Sequence, residues 1–123
     1  MSITRIIKSI YNRLTNATLY SLRGLACAVR NEQPFRYECT VFLVILCFTP
    51  FVPLLWGLGL ACAWLFVMAF ELVNSAVEKA FDLIDTNFRP EIKAGKDMLS
   101  AAVFIMICIN FVLWCVCAAV CFS

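Results

Sequence analysis

Apolar residues in this chain fall in long runs, not in the short alternating segments of a soluble core. No charged residue occurs from Cys39 to Phe70, or again from Met98 to Ser123. Pro50 and Pro53 interrupt the first run, because a proline ring nitrogen donates nothing to a helix ladder. The runs hold three spans of about 20 residues, the length that crosses a hydrocarbon core. The pattern predicts transmembrane helices over about 34–50, 54–83 and 95–121. Ahead of them, Ile3, Ile6, Ile7, Ile10 and Leu14 recur at helical spacing, with Arg5 and Lys8 on the opposite face. A second stripe, Leu19, Leu22, Leu25, Ala26 and Val29, is rotated from the first, and Thr15 or Asn16 is expected to cap a break between the two. The expected fold is an all-α membrane protein, one domain over 1–123, with an amphipathic interfacial helix at 1–30 and three transmembrane helices.

Composition and charge sharpen this picture. With 63% hydrophobic and 15% charged residues, the chain is no ordinary soluble domain. The first 31 residues carry five basic side chains and no acidic one, but no continuous apolar stretch followed by a small-residue cleavage site, so a secretory signal is not expected. All ten Lys and Arg residues lie before Arg36 or at it, or between Lys79 and Lys96. Basic residues beside spans stay cytoplasmic, which predicts the N-terminus and second loop inside, and the Pro50 to Pro53 turn and C-terminus outside. Six of the eight cysteines sit within apolar runs, where they act as small hydrophobes; without a His or a C-x-x-C pair, no zinc or haem site is expected. Trp56 and Trp114 are expected near the outer interface, and Asn110 is expected to bond between helices.

The chemistry concentrates at Phe70-Glu71-Leu72-Val73-Asn74-Ser75-Ala76-Val77-Glu78-Lys79-Ala80-Phe81-Asp82. Glu71, Ser75, Glu78 and Asp82 step by four, three and four, so they share one helix face, bordered by Asn74. Like charges at this spacing repel by a few tenths of a kcal/mol, roughly, even in water. Basic partners that hold helices together at a membrane boundary are one explanation. The other is chemistry: a carboxylate there serves as general base toward a lipid hydroxyl, and its neighbours hold Mg²⁺ against nucleotide phosphates. Glu32, in Asn31-Glu32-Gln33-Pro34-Phe35-Arg36-Tyr37-Glu38, is either an i, i+4 partner of Arg36 or, in a packed bundle, a second metal ligand near Glu78. At the entry to the third span, Lys96 is placed to neutralise phosphate, and Asp97 and Ser100 are expected to turn inward; the plainer reading makes Lys93 and Lys96 topology charges and Asp97 an N-cap. No G-x-x-x-x-G-K-[ST] occurs, so Ala94-Gly95-Lys96 is not a P-loop.

Taken together, Glu71-Leu72-Val73-Asn74-Ser75-Ala76-Val77-Glu78 through Asp82, Asn31-Glu32 with Phe35-Arg36 and Glu38, and Ala94-Gly95-Lys96-Asp97-Met98 with Ser100-Ala101 resemble the prokaryotic integral-membrane diacylglycerol kinase family. The stretch from Arg13 to Gly24, with Tyr20 and Ser21, follows the family's first helix. The resemblance implies transfer of the ATP γ-phosphate to a membrane lipid alcohol, chiefly diacylglycerol, in a homotrimer of the bacterial inner membrane whose active site faces the cytoplasm. It implies Glu71 as general base, Glu32 and Glu78 as Mg²⁺ ligands, and Arg13, Tyr20, Lys96 and Asp97, together with those two ligands, as nucleotide contacts. Arg13, Glu71 and Ser100 would meet the lipid, with Asn74, Ser75 and Asp82 in support. Arg5 competes with Arg13 for the arginine role, and the stretch from Asp85 to Pro90 follows no strong family pattern. Undecaprenol is the alternative acceptor. A non-enzymatic transport or assembly subunit is the alternative of another class, disfavoured because the outer halves of the spans carry no ionisable residue. No nucleic-acid partner is expected.

Overall fold

The computed structural model describes residues 3–123; residues 1 and 2, where the expected 1–30 helix begins, lie outside the described residues. The chain is all-α: α1 is Ile3–Asn31, α2 Gln33–Phe48, α3 Leu54–Ile84 and α4 Pro90–Cys121, with one 3-10 turn at Thr49–Phe51. Three segments are long and apolar enough to cross a membrane: α2 with its 3-10 turn, α3 and α4. At most 28% of any span's most apolar window is buried inside the chain, so most of that surface needs lipid or protein against it. This makes the chain a multi-pass membrane protein. Two compact units are present, one up to Gln33 and one from Pro34 onward.

In the first unit, α1 runs without the break expected at Thr15 or Asn16. The Thr15 hydroxyl is turned back into the helix, donating to the Tyr11 carbonyl at 2.9 Å, and Thr18 and Ser21 do the same to Leu14 and Ala17. A hydroxyl satisfied by the carbonyl four residues earlier has no need of a non-helical backbone, so no new helix starts there. Ile3, Ile6, Ile7, Ile10 and Leu14 are all exposed, the outward apolar stripe of an amphipathic helix.

The second unit is shaped by its prolines. Pro50 stands in the first turn of the 3-10 segment and Pro53 is the N-cap of α3, so the reversal occurs where two ring nitrogens forbid a continuous ladder. Gly57 lets α3 return close to this turn, since a Cβ there would lie 3.0 Å from the Thr49 Cβ. Pro90 opens α4, five residues before the expected position 95, because a proline at the first helical position is already set at the helical φ. Asp97 is therefore interior to α4 and not its N-cap.

The apolar core lies at the end of the second unit away from its charges. Ile45, Val52, Leu60, Ala61 and Cys117 are buried there, with Phe42, Phe48, Leu113 and Cys121 packed around them. Trp56 and Trp114, expected as belt residues, are partly buried against this cluster, and the Trp114 ring centroid lies 5.1 Å from that of Phe48. All eight cysteines are free, as small apolar side chains would be. Farther along, the Asn110 amide is 2% exposed and donates from Nδ2 to Ala63 O at 3.1 Å and to Met106 O at 2.9 Å, the expected bond between α4 and α3. Beyond it, α3 and α4 approach again at Gly95, where a Cβ would fall 2.8 Å from the Phe81 ring.

Asn110→Ala is expected to lower unfolding stability in detergent by about 1 kcal/mol, the scale of a polar bond between membrane helices plus a small cavity. Reversible unfolding of the parent and variant chains measures it; no change would show that the amide does not tie α4 to α3.

Candidate functional site

One face of α3 changes character along its length. Trp64, Val67, Glu71, Ser75, Glu78 and Asp82 follow one another at helical steps of three and four, with Asn74 bordering them. Val67 is fully buried, while Glu71 is 7%, Asn74 9% and Ser75 8% exposed. Glu78 is half-buried and Asp82 exposed. The face thus descends from an apolar interior through buried polar groups to open carboxylates, a gradient suited to a membrane boundary. Among the described residues no basic side chain pairs with Glu78. Paired structural charge is therefore not what keeps it there.

A second buried carboxyl comes from α2. Glu38 is 9% exposed and belongs to the stripe Phe35, Glu38, Phe42, Ile45 that α2 turns inward. The Trp64 indole donates to its backbone carbonyl at 2.9 Å, and its carboxyl lies within electrostatic reach of Glu71. Glu38 is absent from the residues expected to form the site. The signal was its place in an apolar helical stripe, where an acidic residue has no structural reason to be. Glu38 Oε2 and Asn74 Oδ1 are buried with no hydrogen-bond partner. Leaving such an atom unsatisfied costs about 1–3 kcal/mol, so each is suited to receive a proton donor from outside the chain.

The loop from α3 to α4 is ordered by Asp85, although it follows no strong pattern in sequence. Its Oδ1 accepts from the Asn87 amide N–H and from Asn87 Nδ2, both at 2.9 Å, and Arg89 Nε donates to Oδ2 at 2.5 Å. Asp82, Asp85, Phe88, Arg89, Lys93 and Lys96 are among the residues that line a cavity of about 410 Å³ beside this loop. Lys96 bridges α4 to α3 by an ion pair with Asp82 at 2.6 Å. The inward turn expected of Asp97 and Ser100 is not found: both are exposed, and Asp97 pairs with Lys93 at 2.7 Å one turn away. The earlier start of α4 places Lys93 within the helix, where it meets Asp97 at i, i+4. Arg13 and Tyr20 are exposed on α1, and Glu32 is half-buried just beyond its end.

The second unit thus defines a class: a helical integral-membrane protein whose buried acids, cations and open cavity lie at the polar end of its spans. The sequence pattern described as "Prokaryotic diacylglycerol kinase" matches residues 19–118. Curated proteins named diacylglycerol kinase are similar to most of the chain. That of Haemophilus influenzae is 39% identical over 109 residues, 82% of this chain and 87% of its own. That of Helicobacter pylori strain 26695 is 36% identical over 107 residues, 85% and 83% respectively. That of Escherichia coli K12 is 35% identical over 109 residues, 86% and 88%. The chain belongs to the prokaryotic diacylglycerol kinase family.

The Asn87 backbone N–H, and then the Arg89 guanidinium, hold the Asp85 carboxyl below its ordinary value of 3.8. A group whose folded value is lowered favours the ordered turn above the ordinary value, and that favour is lost as pH falls through the folded one. Hydrogen exchange at the Asn87 amide should therefore stay slow at neutral pH and speed up only in strong acid, and Asp85→Ala should remove the protection at every pH. Equal exchange in the two proteins at neutral pH would contradict the assignment.

Proposed function

We propose that the α3 face is the phosphoryl-transfer site of a diacylglycerol kinase, with Glu71 as general base. Family membership supplies the reaction class, a lipid kinase that uses ATP and acts on diacylglycerol to give phosphatidic acid. The observation that carries the residue assignment is Glu71 itself, 7% exposed, at the level where the face passes from apolar to polar. A lipid hydroxyl is anchored at that level by its acyl chains, and water is scarce there. Transfer forms a bond from the lipid oxygen to the γ-phosphorus, breaks the bond from that phosphorus to the oxygen it shares with the β-phosphate, and leaves the hydroxyl proton on Glu71. Positioning supplies most of the acceleration.

The nucleotide is proposed to approach the cavity beside Asp85, with Lys96 offsetting phosphate charge and Asp82 holding the lysine in place. Asp97 is proposed at the nucleotide's edge, Asn74 and Ser75 in support of Glu71, and Ser100 toward the lipid. Arg13 and Tyr20 of the first unit keep the roles implied by the family, Arg13 toward nucleotide and lipid and Tyr20 toward nucleotide. Among the described residues no three acidic or cysteine side chains converge as a metal cage. A lone half-buried carboxylate such as Glu78 nonetheless suits Mg²⁺ that shares phosphate oxygens and water, and Glu32 is proposed for the same duty from the first unit. When bound, Mg²⁺ offsets the charge on the transferring phosphate. We place the N-terminus and the α3–α4 loop in the cytoplasm of a bacterial inner membrane, from the distribution of basic residues, and the working form as a homotrimer.

Glu71→Gln is expected to reduce kcat by about 10²–10⁴-fold, the usual contribution of a general base, in protein that still folds. Near-parental turnover would remove Glu71 from that role. Glu78→Gln should raise the Mg²⁺ concentration needed for half-maximal rate, and an unchanged requirement would contradict the metal assignment.

A further inference from the structure

The loop between α3 and α4 closes on an ion pair that the proposed reaction does not use. Asp85 stands at the C-cap of α3 and Arg89 at the N-cap of α4, so their contact at 2.5 Å ties the two helix ends together. The two partners differ in freedom. The Asp85 side chain is only 15% exposed, and its Oδ1 is already held by the Asn87 amide N–H and Nδ2, which leaves Oδ2 for the guanidinium. The Arg89 side chain is 64% exposed, and among the described residues only its Nε–H is engaged. Its backbone is extended, as the residue before a proline must be, and Pro90 follows it. The close approach of Gly95 to the Phe81 ring likewise packs α4 onto α3 beside the loop. Any rearrangement of Arg89 is therefore a rotation of its side chain.

Both residues line the cavity of about 410 Å³, and Lys93 and Lys96 are its other cations. Each cation is matched by a carboxylate, Arg89 by Asp85, Lys93 by Asp97 and Lys96 by Asp82. A cavity so neutralised exerts little pull on a polyanion until a pair opens. We propose that Asp85 is an autoinhibitory latch on Arg89, which a nucleotide phosphate opens by taking the guanidinium from the carboxylate. The proposal rests on the assignment of this cavity to the nucleotide. A guanidinium meets phosphate most firmly through two parallel N–H bonds. In its side-on fork these are Nε–H and one terminal N–H, and Asp85 occupies the first. Phosphate and carboxylate oxygens thus compete for one donor. Opening the pair subtracts from nucleotide affinity, since only the unlatched fraction of the protein offers the whole fork. A pair that merely closed the loop would act the other way, because breaking it would loosen the cavity wall and weaken binding.

Asp85→Asn separates these roles, because the amide keeps an Oδ1 acceptor for the Asn87 N–H while its Nδ2 presents a donor to a donor at Arg89. The test uses the full chain in detergent micelles and measures, by calorimetry, the binding of a non-hydrolysable ATP analogue with Mg²⁺, beside the KM for MgATP with diacylglycerol present. It compares the parent, Asp85→Asn, Arg89→Gln and the double variant. Asp85→Asn should bind the analogue about three- to fivefold more tightly, the upper scale of an ion pair open to solvent, with KM lowered in step. Arg89→Gln should bind it about three- to tenfold more weakly, through loss of a charge-assisted contact. In the Arg89→Gln background, Asp85→Asn should change affinity by less than about 1.5-fold, since no guanidinium is left to release. Affinity in Asp85→Asn equal to or below the parent's would overturn the proposal. An equal gain in the Arg89→Gln background would overturn it as well, by showing only the removal of a negative charge. Should Asp85→Asn fail to fold, Arg89→Gln decides, and parental affinity there is equally fatal. Folded parent that binds no analogue overturns the cavity assignment and the latch together, whereas a parent that binds, beside an Asp85→Asn no tighter, overturns the latch alone.

Discussion

Holding a carboxyl group out of water at the edge of hydrocarbon is the constraint on which the rest of this structure depends. The penalty for an ion so placed is several kcal/mol unless other groups offset it. A helix that buried Glu71 without support would slide or rotate to return it to water. Two features resist that motion. At the far end of the spans, Leu60 and Ala61 of α3 are packed with Ile45, Val52 and Cys117, and Asn110 ties α4 to the Ala63 carbonyl. Nearer the acids, the Trp64 indole fixes α2 against α3 at Glu38. The uncharged end therefore sets the rotation of α3, and the charged end uses it.

This division of labour explains why the spans end as they do. The Pro50 to Pro53 reversal is compact and apolar, closing the packed end with no ionisable group. The Asp85 turn at the other end is built from side-chain hydrogen bonds, and the lysines of α4 face Asp82 and Asp97 across and along the helices. The exposed Lys93–Asp97 pair adds little to stability in water, on the order of 0–1 kcal/mol. The charges at this end are thus better explained by a ligand that arrives from solution than by fold stability.

Much of the fold was legible because hydrocarbon imposes so simple a pattern. Charge-free runs, two prolines and a helical repeat are enough to place three spans and the amphipathic α1. The limits of that pattern are equally physical. Thr15 looked like a cap, but a hydroxyl can bond back to its own helix, and only the backbone decides between them. The start of α4 was set by Pro90, a preference at the first helical position that hydropathy does not register. The acidic face of α3 was legible from its spacing alone. Glu38 stood among the residues that carry the family resemblance but not among those expected in the site, because which side of α2 is buried shows only once the helices are packed. Asp97 and Ser100 were expected inward from their place at the entry to the third span, but which side of α4 packs against α3 is set by tertiary contacts, and both residues are exposed.

The account stands on a buried carboxylate working as a base on a lipid hydroxyl. The most direct measurement is phosphate transfer from ATP by the purified chain in micelles containing Mg²⁺ and offered diacylglycerol and undecaprenol together, with each lipid product resolved. The account predicts phosphatidic acid as the main product, formed only when ATP, Mg²⁺ and the lipid are all present. Folded protein that phosphorylates neither lipid, or undecaprenol alone, would contradict it.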